Sequence, residues 1–203
     1  YIAFNEFINA AKTENGLLTA LQNIYKVIDD IVLEKETSQF KIDLKVGTKY
    51  YRARIIDLID YDNPKKGIGK TLDGKFKGYD DINSREPILE ISGEGRNNIA
   101  GVSYLYIASN PETACMEIKS QFGDLISLAT FELTKPLKVI DFASEKTFQR
   151  KYKELYGMSM GVFFSLLMGK FCEPVRGNTY RATQLISDYL RKTGIDGIKY
   201  KSF

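Results

Sequence analysis

The sequence predicts an α+β fold, and three observations carry that expectation. Apolar residues recur at helical spacing near both ends of the chain, over residues 17–31 and 180–193. Between them lie short runs rich in aromatic and β-branched residues, which read as strands. The two kinds of segment mix without a regular βαβ repeat, which argues against a doubly wound parallel sheet. Composition agrees: 203 residues, 43% hydrophobic and 27% charged, fit one large domain with enough apolar material for a core.

Residues 1–36 read as a helical pair. Ile2, Phe4, Phe7, Ile8 and Ala11 form the first apolar set; after the break at Asn15-Gly16, Leu17, Leu21, Ile24, Ile28 and Ile31 form the second. We take 1–47 as an N-terminal helical extension and 48–203 as the main domain. "KYYRARIIDLI" from Lys49 reads as a strand. From Tyr61 to about Asn98 the chain is polar and rich in glycine, lysine and aspartate. That is long for a connection, so it is either a functional loop or holds short strands such as "PILEI". "SYLYIA" over 103–108 is the next expected strand. A helix should follow from Asn110 to about Gln121: Asn110 can cap it, Pro111 is preset to helical φ, and Glu112 suits the helix dipole. "LISLATFEL" and "LKVIDF" read as strands joined by a turn at Lys135-Pro136. Helices are expected over 144–156, 158–169 and 180–193, the last stopped by Gly194, and "DGIKYKS" closes the chain as a strand.

The bulk properties exclude several kinds of chemistry. A net charge of +3 and a pI near 8.6 suit anionic small ligands but fall short of a dedicated nucleic-acid binder. The chain contains no histidine, so histidine catalysis is excluded, and Cys115 and Cys172 have no zinc-type spacing; no metal site is expected. Both cysteines read as small buried hydrophobes rather than a disulfide, which fits a reducing, cytoplasmic compartment. No signal peptide is visible, and the apolar run from Met158 is too short and interrupted to span a bilayer. Opening on Tyr1 rather than methionine, the chain is compatible with being part of a longer protein.

Several residues stand out chemically. Gly69-Lys70-Thr71 resembles the end of a phosphate-binding P-loop, but Pro64 occupies the position of the first glycine, and neither a buried strand nor a helix flanks it. Arg52 and Arg54 share one face of a strand, where they either pair with Asp or Glu on a neighbouring strand or form a fork for phosphate oxygens. Arg96 lies in a glycine-flanked turn, and Tyr104 and Tyr106 face one way, as on a half-exposed sheet or a stacking platform for a flat ring. At about 100° per residue, Ala114, Cys115, Ile118 and Phe122 form one helical face, with Glu117 on its shoulder. Glu117 is either a solvated carboxylate or one aimed into a site.

Together, "YRAR", "GRNNIAGVSYLYIASNPETACMEI" and "YRATQLISDYLRKTGIDGIKYKS" resemble the RES domain, a family named for its arginine, glutamate and serine. Tyr106 follows Arg96 by ten residues and Glu117 follows Tyr106 by eleven, similar to the family's spacing. The resemblance implies an α+β fold like that of ADP-ribosyltransferases, with mixed sheets and flanking helices. It also implies an enzyme that consumes NAD by breaking the nicotinamide–ribose bond, as an NAD phosphorylase or glycohydrolase. NAD is then a substrate rather than a cofactor, with phosphate as co-substrate in the phosphorylase case. Many members are toxins held in check by an antitoxin, so an inhibitory partner protein is an expectation too. Carried over, Glu117, Arg96 and Ser202 become catalytic residues, and Arg52, Arg54, Tyr104, Tyr106 and Asn97 become NAD-binding residues. Transfer of ADP-ribose to a macromolecule shares all these residues; a non-catalytic module that binds an acidic partner through the lysine-rich 61–78 segment is the alternative from another class.

Overall fold

A computed structural model describes residues 2–13, 17–33, 40–56, 69–70, 76–143, 169–171 and 180–201. The chain is α+β and divides into two compact units, the first made of Tyr1–Leu44, Glu94–Ile99 and Leu137–Phe203, the second of Lys45–Gly93 and Ala100–Pro136. The division follows packing rather than sequence order.

In the first unit, α1 (Ile2–Thr13) and α2 (Leu17–Leu33) are the helical pair that the apolar spacing predicts. A three-stranded sheet pairs β1 (Lys41–Leu44) antiparallel with β6 (Leu137–Asp141), and β6 in parallel with β7 (Gly197–Lys199). Helix α5 (Arg181–Lys192) buries Ala182, Ile186 and Leu190. Those side chains join Phe7, Ala11, Ile24, Ile28, Phe40, Ile140, Phe142 and Phe171 in one core. Gly194, at φ +84°, ends α5 in the left-handed region that favours glycine. Asp196 then fixes the entry to β7: its Oδ2 accepts the Lys138 N–H at 2.8 Å and its own N–H donates to Lys138 O at 2.8 Å.

The second unit is built on an antiparallel pair, β2 (Lys49–Ile55) and β5 (Ile126–Glu132), in register from Lys49 opposite Glu132 to Ile55 opposite Ile126. Helix α4 (Pro111–Glu117) packs on this pair. Strand β3 (Gly69–Lys70) pairs antiparallel with β4 (Phe76–Lys77), so Gly69-Lys70 stands in a strand and not at a helix start, as a P-loop would require. The single-turn helix α3 (Asp81–Ser84) follows.

Three expectations are corrected here. "SYLYIA" forms no strand: only Ala108 bridges, to Tyr51, with N···O distances of 2.8 and 2.9 Å. The segment is tied through side chains instead, Ser92 Oγ donating to Val102 O at 2.9 Å and Ser103 Oγ to Pro87 O. "PILEI" is a 3-10 turn over Leu89–Ile91, not a strand. Helix α4 stops at Glu117 rather than near Gln121, because Lys119 takes φ +50°, a left-handed conformation that ends a helix. Phe122 therefore lies beyond the helix and is exposed. The helix expected over 144–156 lies outside the described residues, as do residues 158–168 of the one expected over 158–169, Cys172 and Ser202. Cys115 is a free, half-buried thiol.

Candidate active site

The sequence-predicted site residues are distributed over both units. Arg96 and Asn97 belong to the first; Arg52, Arg54, Tyr104, Tyr106 and Glu117 belong to the second.

In the second unit, Arg52 and Arg54 project from one face of β2, as strand periodicity requires. Their cross-strand neighbours on β5 are Ala129 and Ser127, so of the two alternatives the paired one, with an Asp or Glu directly across the strand pair, is not seen among the described residues. Both guanidiniums instead bind main-chain carbonyls at the end of α3. Arg52 Nη1 donates to Ser84 O at 2.8 Å and to Arg85 O at 2.7 Å, and Arg54 Nη1 donates to Asn83 O. These are carbonyls that a one-turn helix leaves without internal partners. Burial, and then the like charge of Arg54, hold the Arg52 guanidinium below its ordinary pKa, with Glu86 opposing the shift.

A tyrosine that the sequence did not single out completes this cluster. Arg54 lies over the Tyr79 ring, 4.2 Å from its centroid, in cation–π geometry. Ser127 Oγ accepts the Tyr79 N–H at 2.9 Å, and Gly78 fits because a Cβ there would sit 2.4 Å from that oxygen. Asp80 caps α3, its Oδ1 accepting both the Asn83 N–H and the Asn83 amide at 2.8 Å.

Glu117 is the last residue of α4 and is exposed. The helix start is as expected: Asn110 Oδ1 accepts the Thr113 N–H at 2.7 Å, Pro111 occupies the first turn, and Ala114 is buried against the sheet side. Tyr104 is half-buried and Tyr106 is 36% exposed, on the irregular segment that precedes Ala108.

In the first unit, Arg96 and Asn97 sit in a tight turn closed by Gly95 N–H to Asn98 O at 2.9 Å and Asn98 N–H to Gly95 O at 3.4 Å. The turn rests on α5. Thr183 Oγ1 lies 2.6 Å from Arg96 O, Ser187 Oγ donates to Asn97 Oδ1 at 3.2 Å, and Gln184 Nε2 donates to Gly95 O at 2.9 Å and Asn98 O at 3.0 Å. Asn97 is thus buried, facing the helix. The Arg96 guanidinium lies 5.8 Å from the centroids of both the Tyr180 and Tyr200 rings, and Nη1 is 3.4 Å from Lys170 O. The sequence did carry a signal for these partners: Thr183, Gln184 and Ser187 are polar residues at helical spacing inside an apolar-periodic helix.

Taken by itself, the second unit carries two guanidiniums suited to an anion, tyrosine rings suited to flat groups and the exposed Glu117 carboxylate, and the first unit carries the Arg96 guanidinium. Among the described residues no group of acidic, cysteine or histidine side chains could hold a metal ion, and no helix is long and apolar enough to cross a membrane. No curated protein and no solved structure matches the chain. A protein-family model described as the RES domain matches residues 85–203, more than half of the chain. That span takes in Arg96, Asn97, Tyr104, Tyr106, Glu117 and Ser202, and on that match the chain belongs to the RES domain family, which is associated with NAD-acting enzymes and with toxin-like function in general.

Proposed function

We propose that this protein degrades NAD by cleaving the nicotinamide–ribose bond, as an NAD phosphorylase or NAD glycohydrolase. The observation that carries the reading is the family match over 85–203, a span that includes Arg96, Tyr106, Glu117 and Ser202. An ADP-ribosyltransferase-like sheet arrangement, a cytoplasmic toxin or defence role and an inhibitory partner protein belong to the same proposal.

The chemistry asks for these residue types. The C–N bond breaks with its electron pair going to the positively charged nicotinamide nitrogen, so nicotinamide leaves neutral and needs no general acid. Histidine is therefore dispensable. Positive charge is left on the ribose ring, and a carboxylate beneath it, or bonded to the ribose hydroxyls, stabilises the transition state where that charge develops. Glu117 takes this role. Water or phosphate then attacks the anomeric carbon; with water, a proton is released. Arginines suit the pyrophosphate, through charge-assisted bonds from a planar fork. The bonds of Arg52 and Arg54 to the carbonyls of residues 83–85 use Nη1 of each guanidinium. Arg96 supplies a further guanidinium from a turn in which Asn97 faces α5, Tyr104 or Tyr106 stacks on the nicotinamide ring, and the Ser202 hydroxyl orients the ribose or the carboxamide.

The direct experiment incubates folded protein, free of inhibitor, with NAD in the presence and absence of phosphate and follows nicotinamide. Release under either condition is expected, with ribose-1-phosphate-linked product only when phosphate is the acceptor. No release under both conditions would sink the reading.

A further inference from the structure

Helix α5 carries three buried polar side chains that its apolar face does not need for packing. Ala182, Ile186 and Leu190 supply the core contacts, while Thr183, Gln184 and Ser187 are 3%, 5% and 4% exposed. Buried polar groups persist where their hydrogen bonds are made, and here five of the seven run to the same five-residue segment. Thr183 Oγ1 reaches Arg96 O at 2.6 Å, sharing its proton with Tyr180 O at 2.8 Å. Ser187 Oγ lies 3.2 Å from Asn97 Oδ1 and 2.7 Å from Thr183 O. Gln184 Nε2 serves three acceptors with two hydrogens: Glu94 Oε1 at 3.0 Å, Gly95 O at 2.9 Å and Asn98 O at 3.0 Å. The same helix begins beside Tyr180, whose ring flanks the Arg96 guanidinium.

We propose that Thr183, Gln184 and Ser187 are positioning residues for Arg96: they fix the 94–98 turn on α5 so that the guanidinium is presented to the anionic part of the substrate in one orientation. The inference rests on the reading of Arg96 as a residue of the NAD site. Gln184 is the centre of the device, because it alone bonds both carbonyls that close the turn, at Gly95 and Asn98. Neither carbonyl would find a partner in an apolar side chain of equal size, so the segment would lose three of these five bonds to α5 while the helix kept its volume.

The test has two readouts. Hydrogen exchange of peptides covering residues 94–99 is compared between the unsubstituted protein and Gln184→Met, with the core peptides of α5 as internal reference. Faster exchange confined to the turn is expected; unchanged exchange there overturns the proposal. In parallel, kcat/KM for nicotinamide release is measured for Gln184→Met, Arg96→Ala and the double variant. A fall of the order of tenfold to a hundredfold is expected for Gln184→Met, with little further fall when it is added to Arg96→Ala, since both act through one group. Additive losses would mean that Gln184 does not act through Arg96. Should Gln184→Met fail to fold, Thr183→Val against Thr183→Ser gives the same decision: the serine variant must retain the turn's protection and the valine variant must lose it. An unsubstituted protein that releases no nicotinamide counts against the NAD reading alone, and the exchange measurement then decides whether α5 positions the turn.

Discussion

Glu117 closes α4 as an exposed side chain, while the buried position of that helix is Ala114. Replacing the carboxylate should therefore disturb chemistry far more than packing. Glu117→Gln is expected to keep the melting temperature and NAD binding and to lower nicotinamide release by about a hundredfold or more, the scale of removing one transition-state charge contact. Full turnover in that variant would assign the carboxylate's role elsewhere. Gly78 makes the opposite case. It shows no positive φ, yet an added Cβ would meet Ser127 Oγ at 2.4 Å, and Ser127 is 7% exposed with little room to yield. Gly78→Ala should cost about 1–3 kcal/mol by pushing the chain off Ser127 and loosening Tyr79, which lies under Arg54. Chemical denaturation measures the loss. Identical unfolding curves for the two proteins would show that the strand backs away freely.

At the scale of elements, what could be read in advance depended on whether the deciding partner was local. The amphipathic helices α1, α2 and α5 and the strands β2, β5 and β6 follow from periodicity, because each presents an apolar face long enough to settle its own conformation. "SYLYIA" has the same alternation but gains a ladder only at Ala108, and a strand needs a partner along its length. Strand β1 went unexpected because four residues, "KIDL", become a strand through pairing with β6, almost a hundred positions later. The candidate site behaved alike: Arg52, Arg96 and Glu117 could be nominated from residue type and spacing, whereas the carbonyls of residues 83–85 that hold the two β2 arginines have no sequence signature. The start of α4 was legible through its cap, and it gives a clean measurement. Asn110→Ala removes the acceptor for the Thr113 N–H and should destabilise the fold by about 1 kcal/mol, read as a shift in the urea midpoint. Asn110→Asp, which keeps the acceptor and adds a charge favoured at a helix start, should restore the midpoint. If both variants unfold with the parent, the cap contributes nothing.

For the molecule as a whole, the question is whether the segment matched by the family can stand alone. The match begins at residue 85, yet within the first unit Leu137–Phe203 packs with Tyr1–Leu44. Tyr25 of α2 stacks on Tyr189 of α5 with centroids 3.8 Å apart, and Tyr189 donates its hydroxyl to Asp29 at 2.6 Å. Burial, and then this bond to a carboxylate, push the Tyr189 pKa from 10.0 up to about 12. Below pH 10.0 folded and unfolded chains both keep the proton and the contact stabilises fully; above it the unfolded chain ionises first, so that stability falls as pH rises and is lost through about 12. Tyr189→Phe should flatten this part of the pH dependence in denaturant midpoints, and an unaltered slope would exclude the linkage. A larger consequence concerns the core itself. Phe7, Ile24, Ile28 and Phe40 are each no more than 4% exposed and bury against Ile140, Phe142, Ile186 and Leu190. Each such side chain contributes about 1.5–3 kcal/mol, so four of them rival the roughly 5–15 kcal/mol by which a domain is stable at all. Loss of β1 would also strip β6 of its antiparallel partner and leave an open edge. A chain beginning at residue 45 is therefore expected to associate and to melt without a cooperative transition, as followed by gel filtration and circular dichroism. A monomeric fragment with a sharp transition would show instead that the helices of residues 1–44 are dispensable, and that the rest of the first unit closes its core unaided.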